Sequence, residues 1–310
     1  MKHRARQISL AYLGVIVIWS TTPLGIQWST LGSSYSFAVA ARMLIGWVIC
    51  LIVLRLARMA LPIDANARKL YAASGLSMFA SMLCTYWGAQ HIPSGLISVI
   101  FGLSPLATGV FATWWLRTHE LTPLRIAGLA LSIAGLWMIF GQPWPGDSHA
   151  SAGILVVILG MVLQALGLVW IKRIGLERTQ PPLTALAITT GTLSVGTPLF
   201  VIAWLISDRG DLPAHLSVQV VLSIVYLGIF GSVVGFTLYY YVIKHLDAGR
   251  VALITLITPV TALLLGQTLN NETIPLYGWL GIGLIGAGLL LYEWQALVSR
   301  ATNNGVHDST

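Results

Sequence analysis

Residues 91–111 read HIPSGLISVIFGLSPLATGVF, and residues 245–265 read HLDAGRVALITLITPVTALLL. His91 aligns with His245, Gly95 with Gly249 and Pro105 with Pro259 at a single offset. Further along, HELTPL (119–124) matches NETIPL (271–276), pairing Glu120 with Glu272 and Pro123 with Pro275 after a short gap. Five landmarks in one order make the chain two copies of a single unit.

The unit is written in oily residues. Of 310 residues 56% are hydrophobic and only 9% are charged, where a soluble domain carries about 25% charged residues. A helix needs about 20 apolar residues to cross the hydrocarbon layer. Ten such runs are present: 8–28, 35–56, 70–89, 94–116, 122–140, 151–171, 182–206, 216–240, 248–268 and 275–294. The expected fold is an all-α membrane protein of ten transmembrane helices. Five crossings per copy is an odd number, so the second copy enters the membrane from the opposite side. The result is an inverted repeat of two five-helix units, the architecture of alternating-access carriers. The expected units are residues 1–146 and 147–296, with 297–310 a disordered cytoplasmic tail.

Basic residues orient the chain. With the N-terminus in the cytoplasm, Arg209 falls outside and Arg42 within a span. Every other Lys and Arg falls on the cytoplasmic side. The C-terminus is then cytoplasmic as well. The basic residues are scattered over short gaps and form no single patch, so the net charge of +7 does not indicate a nucleic-acid partner. Cys50 and Cys84 lie in apolar runs without disulfide or metal spacing, and no cofactor is expected. MKHRARQ followed by ISLAYLGVIVIW is read as a retained first helix, since no small-residue cleavage site follows it.

The chain resembles the drug/metabolite transporter superfamily, in the branch with two EamA domains, over residues 10–296. The resemblance rests on the Trp-polar segment from Trp19 to Gln27, AVAARMLIGW around Arg42, Pro105 and Pro259, the Glu-x-x-Pro turns at Glu120 and Glu272, and GIFGSVVGFTLYYYVIKHLDAGR (228–250). It departs at Gln27, where many relatives carry lysine. The resemblance implies a bacterial inner-membrane secondary transporter of amino acids, nucleotide-related metabolites or toxic compounds.

Residues that could line a path follow from their chemistry. In WSTTPLGIQWS (19–29), Trp19, Pro23 and Gln27 share a face, with Thr22 beside it. Pro23 removes a backbone donor, and a carbonyl so freed must face protein or water. This face borders either the substrate path or a neighbouring helix. Arg42 lies about seven residues, roughly 10 Å, into the second span. It can hold an anionic substrate or gate, anchor helices through carbonyls, or snorkel to the surface. Ser104 with Pro105, and Thr258 with Pro259, mark matched breaks at mid-span. Tyr86, Trp87 and Tyr239 offer amphipathic rings, and Gln164 needs a protein partner. His91 and His245 could relay protons, although loop capping is the simpler role. Glu120 and Glu272 are expected to cap the fifth and tenth spans. The glycines of the last span suit helix packing or a homodimer face.

These features favour a carrier for a small-molecule substrate, exporting amino acids or related compounds, with lipid around it and proton coupling left open. A membrane enzyme would require a convergent polar or metal-binding cluster, and His, Asp and Glu are scattered here. A channel or scaffold would lack saturable flux or any flux.

Overall fold

The computed structural model describes residues 2–117, 122–140, 149–174, 183–213, 215–246 and 248–307. Among them, all repeating structure is helical. The helices are α1 (Lys2–Ser29), α2 (Tyr35–Leu56), α3 (Ala65–Gly88), α4 in two pieces (Ser94–Gly102 and Ser104–Leu116), α5 (Pro123–Phe140), α6 (Ala150–Ile174) and α7 (Ala185–Ser207). The chain continues with α8, built from Val218–Tyr226, a π-helical stretch Leu227–Val234 and Gly235–His245. It ends with α9 (Ala248–Asn270) and α10 (Leu276–His307). The backbone of α10 is helical through His307, past the point where the sequence places the start of a tail.

Local chemistry sets several helix starts. The side chains of Ser34, Asp64, Thr184 and Ser217 accept backbone N–H groups at the beginnings of α2, α3, α7 and α8, satisfying donors that a helix leaves open. Among the described residues, eight helical segments are long and apolar enough to cross a membrane. The apolar part of α5, Pro123–Ile139, is shorter. Although α3 is 24 residues long, it is rich in Ser, Thr and Gly. It packs between α6 and α7, so neighbouring protein replaces lipid along much of its length. Elsewhere large apolar side chains face outward, including Trp114 (77% exposed), Trp137 and Ile206. In water such a surface would aggregate, whereas in hydrocarbon it is solvated.

The prolines act differently in the two halves. At Leu103 α4 breaks, with Pro105 in the first turn of its second piece. Through Pro259, α9 stays helical. The expectation of two matched breaks is therefore corrected to one. The two helices cross tightly here, since a Cβ on Gly102 would lie 3.2 Å from Pro259 Cγ. Pro23 likewise sits inside a continuous α1. Nearby Thr21 and Thr22 donate to the carbonyls of Val17 (2.8 Å) and Ile18 (2.6 Å).

The principal helix pairings are α5 with α10, α2 with α7, and α4 with α9, together with α3–α6 and α8–α1, α3–α7 and α8–α2, and α6–α4 and α1–α9. Exchanging each helix for the one five places along leaves this set unchanged. The correspondence reaches individual residues. A Cβ on Gly75 would meet Val195 and the Thr192 carbonyl, as one on Gly228 would meet Ile45 and the Arg42 carbonyl. Gly160 faces Cys84 as Gly14 faces Leu238. Gly128 abuts the Gly288 carbonyl as Gly281 abuts that of Gly135. From Gly75/Gly228 to Cys84/Leu238 the spacing grows by one residue, and the π-helical stretch of α8 lies between the two points. A π turn is the way a helix absorbs one extra residue.

Candidate functional site

Arg42 is 4% exposed, on the face of α2 turned toward the π-helical stretch. Glycines make this approach close. A Cβ on Gly46 would lie 3.2 Å from the Gly228 carbonyl, and one on Gly231 would lie 3.1 Å from Arg42 Nη2. The guanidinium donates from Nε to Ser232 Oγ at 3.2 Å and from Nη1 to the Tyr86 hydroxyl at 3.3 Å. It also lies 6.0 Å from the Tyr86 ring centroid. Ser232 Oγ donates onward to the Leu227 carbonyl at 3.1 Å, a five-residue reach matching the π turn. Tyr86 itself is fully buried.

No carboxylate balances this charge among the described residues. Asp64 accepts amides at the start of α3, and Asp208 accepts the hydroxyls of Ser34 and Ser36. Glu272 is held at α4, and Glu293 lies near Arg125 on α5. Asp211 is exposed in the α7–α8 connection. Among the described residues the buried cation therefore has hydroxyl partners and a ring. In the other half Thr192 takes the place of Arg42, and it hydrogen-bonds Ser74 at 2.7 Å.

The remaining expected site residues spread along the bundle. Trp19 is half-buried against Tyr239, with ring centroids 4.5 Å apart. Adjacent side chains on α1 bridge to other helices, Ser20 with Thr261 of α9 and Thr21 with the Tyr226 hydroxyl of α8 at 2.6 Å. Thr22 bonds its own helix, and Pro23 is buried. Ser104 and Pro105 are half-buried at the break in α4. Thr258 donates to the Ile254 carbonyl at 2.9 Å, and Pro259 packs toward Gly102. Gln164 accepts from Ser81 at 3.3 Å and so faces protein. Trp87 parts from its neighbour Tyr86. Its ring contacts His91 at 4.7 Å, and His91 contacts His149 at 5.6 Å.

Gln27 belongs to a second polar group. Asn270 Nδ2 donates to Gln27 Oε1 at 2.8 Å and to Glu272 Oε1 at 3.0 Å, while Trp28 Nε1 donates to Asn270 Oδ1 at 3.0 Å. Gln27 Nε2 donates to the Ile92 carbonyl at 3.4 Å. The Glu272 carboxylate accepts the N–H of Ser94 at 3.1 Å and of Gly95 at 3.4 Å. Glu272 thus caps α4, across the bundle, rather than α10 as expected. Gly266, which lacks a Cβ, leaves room for the carboxylate. The cap expected from Glu120 falls outside the described residues. His245 Nδ1 contacts the Tyr241 carbonyl of its own helix at 2.8 Å.

Sequence reasoning singled out Arg42 and Tyr86 but not Ser232, which the structure joins to Arg42, nor Asn270 beside Gln27. The signal for Ser232 was the glycine spacing in GIFGSVVG, a close-packing signature. Among the described residues, no group of His, Cys, Asp and Glu is arranged to hold a metal ion.

The chain is similar to several known proteins. The "Uncharacterized inner membrane transporter YedA" of Escherichia coli (strain K12) is 28% identical over 209 residues, 65% of this chain. The chain spans 62% of that relative's length. The "Probable amino-acid metabolite efflux pump" of the same organism is 28% identical over 222 residues, covering 69% of this chain and 72% of the relative. The "Uncharacterized transporter YdfC" of Bacillus subtilis (strain 168) is 23% identical over 296 residues, 95% and 93% of the two chains. A solved crystal structure superposes with a TM-score of 0.62 at 16% identity, covering 93% of this chain and 98% of the other, which shows a shared fold. The profile of the EamA-like transporter family matches twice, at residues 7–141 and 151–294, and the chain belongs to that family.

Proposed function

We propose that the protein is a secondary carrier that exports small carboxylate-bearing metabolites, amino acids among them, by alternating access. The observation that carries this reading is Arg42, a buried cation whose described partners are hydroxyls and a ring. A charge inside a bundle is costly and marks a pathway when it faces the interior. An incoming carboxylate would give the guanidinium the anionic partner that Ser232 and Tyr86 do not. The relative named as an amino-acid metabolite efflux pump fits this cargo.

The exchangeable helix pairings support an inverted repeat of residues 1–146 and 147–296, with the two units rocking about the site. The distribution of Lys and Arg supports cytoplasmic termini. The relative named as an inner-membrane transporter suits a bacterial inner membrane. A solute gradient or a proton gradient would drive the cycle.

The test is counterflow in proteoliposomes of the full chain, preloaded with unlabelled amino acids and challenged with labelled ones. Saturable uptake that depends on the internal amino acid is expected. Uptake restricted to compounds lacking a carboxylate would overturn the cargo assignment, and unsaturable flux would overturn the carrier mechanism.

A further inference from the structure

We infer that the crevice between the start of α3 and the end of α6 is a binding site for the phosphate of an anionic phospholipid. This inference does not depend on the cargo. The crevice has a volume of about 280 Å³ and is lined by Asn66, Lys69, Trp170, Arg173 and Ile174. Lys69 and Arg173 are exposed at its mouth, so two cations meet where two helices end. Asp64, the nearby carboxylate at the start of α3, is committed to the N–H groups of Asn66 and Ala67. The Arg173 guanidinium lies 5.3 Å from the Trp115 ring centroid, which restrains its position.

A soluble phosphate would need only these charges, whereas a lipid also needs a track for its chains. Leu155 and Leu159 are exposed on α6, and Trp170 lies on the same outward stripe at the crevice itself. That spacing follows the helical repeat. The apolar stripe therefore runs along α6 into the basic crevice, and Trp170 sits at the level where indoles favour the headgroup region. Basic pockets between helix ends on the cytoplasmic side suit anionic headgroups, and the distribution of Lys and Arg puts this crevice on that side.

The experiment is native mass spectrometry of the full chain in non-ionic detergent, titrated with phosphatidylglycerol, phosphatidylethanolamine or inorganic phosphate. One phosphatidylglycerol should be retained in preference to phosphatidylethanolamine. The Lys69→Gln/Arg173→Gln double variant should weaken that retention about thirtyfold. An Arg55→Gln/Arg58→Gln variant, equal in charge loss but outside the crevice, should retain it. Matching thermal unfolding curves exclude misfolding, and failure of the double variant to fold would move the same comparison to each single substitution. Equal retention by the two double variants would overturn the site. Displacement of the lipid by millimolar inorganic phosphate would assign the crevice to a free anion instead.

Discussion

Replacing Arg42 by methionine separates a cargo-binding arginine from a structural one. The two hydrogen bonds of the guanidinium are 3.2 and 3.3 Å long, beyond the roughly 2.7–2.9 Å of strong charge-assisted bonds. As ordinary bonds they contribute about 0.5–1.5 kcal/mol each, so about 1–3 kcal/mol together. Against this stands a desolvation penalty of several kcal/mol for a buried ion. Arg42→Met should leave stability unchanged or raise it by about 1–2 kcal/mol. Transport should respond in the opposite sense. A charge-assisted bond to a substrate carboxylate contributes about 1.5–3 kcal/mol, so its loss should raise KM roughly 10- to 150-fold. Arg42→Lys keeps the charge but not the planar fork, and should fall between. Reversible unfolding in mixed micelles gives the first quantity and counterflow kinetics the second. A methionine variant destabilised by more than about 3 kcal/mol, with normal KM in the folded fraction, would show that Arg42 is an anchor and refute the reasoning.

Other outcomes follow from the same contacts. Gly288→Ala would put a Cβ 2.5 Å from the Gly128 carbonyl and should destabilise by about 1–3 kcal/mol. Gly286→Ala, with nothing within 4 Å, should be neutral or stabilise by up to about 1 kcal/mol; equal unfolding midpoints for the pair would disprove the α5–α10 interface. Glu272→Gln removes the anionic cap of α4 and should cost about 1–2 kcal/mol, seen as faster amide exchange at Ser94 and Gly95. Unchanged exchange there would dismiss the cap. Tyr86→Phe should raise KM about three- to tenfold through loss of one hydrogen bond. Trp87→Ala, altering a ring that contacts His91, should shift KM by less than about twofold, and the reverse ranking would count against the site.

The legible parts of the protein were those decided by local composition. Arg42 stands out because its span is otherwise apolar, and the spans themselves are set by hydrocarbon thickness. Their starts were less legible: the third run is read from residue 70, whereas the Asp64 cap begins α3 at Ala65. What stayed hidden depends on distant partners or on helical phase. Tyr86 and Trp87 are consecutive, yet one residue is about 100° of rotation, enough to send one to Arg42 and the other to His91. Ser232 could not be placed because a π turn breaks the 3.6-residue period by which faces are read. Glu272 preceded α10 in sequence and suggested a local cap, but its partners are amides of α4. Identical prolines gave one break and one continuous helix, a difference that proline itself does not encode.

The π-helical stretch makes the two halves differ in length rather than merely in side chains. The wide turns take up the surplus residue locally, so beyond them Leu238 still faces Gly14 as Cys84 faces Gly160. A substitution changes one surface; this insertion re-aims only the residues inside it, Ser232 among them. Deleting one residue between 229 and 234 would restore ordinary α-helical turns there and carry Ser232 away from the guanidinium. The contact between Ser232 and Arg42 then has its origin in one amino acid's worth of additional backbone.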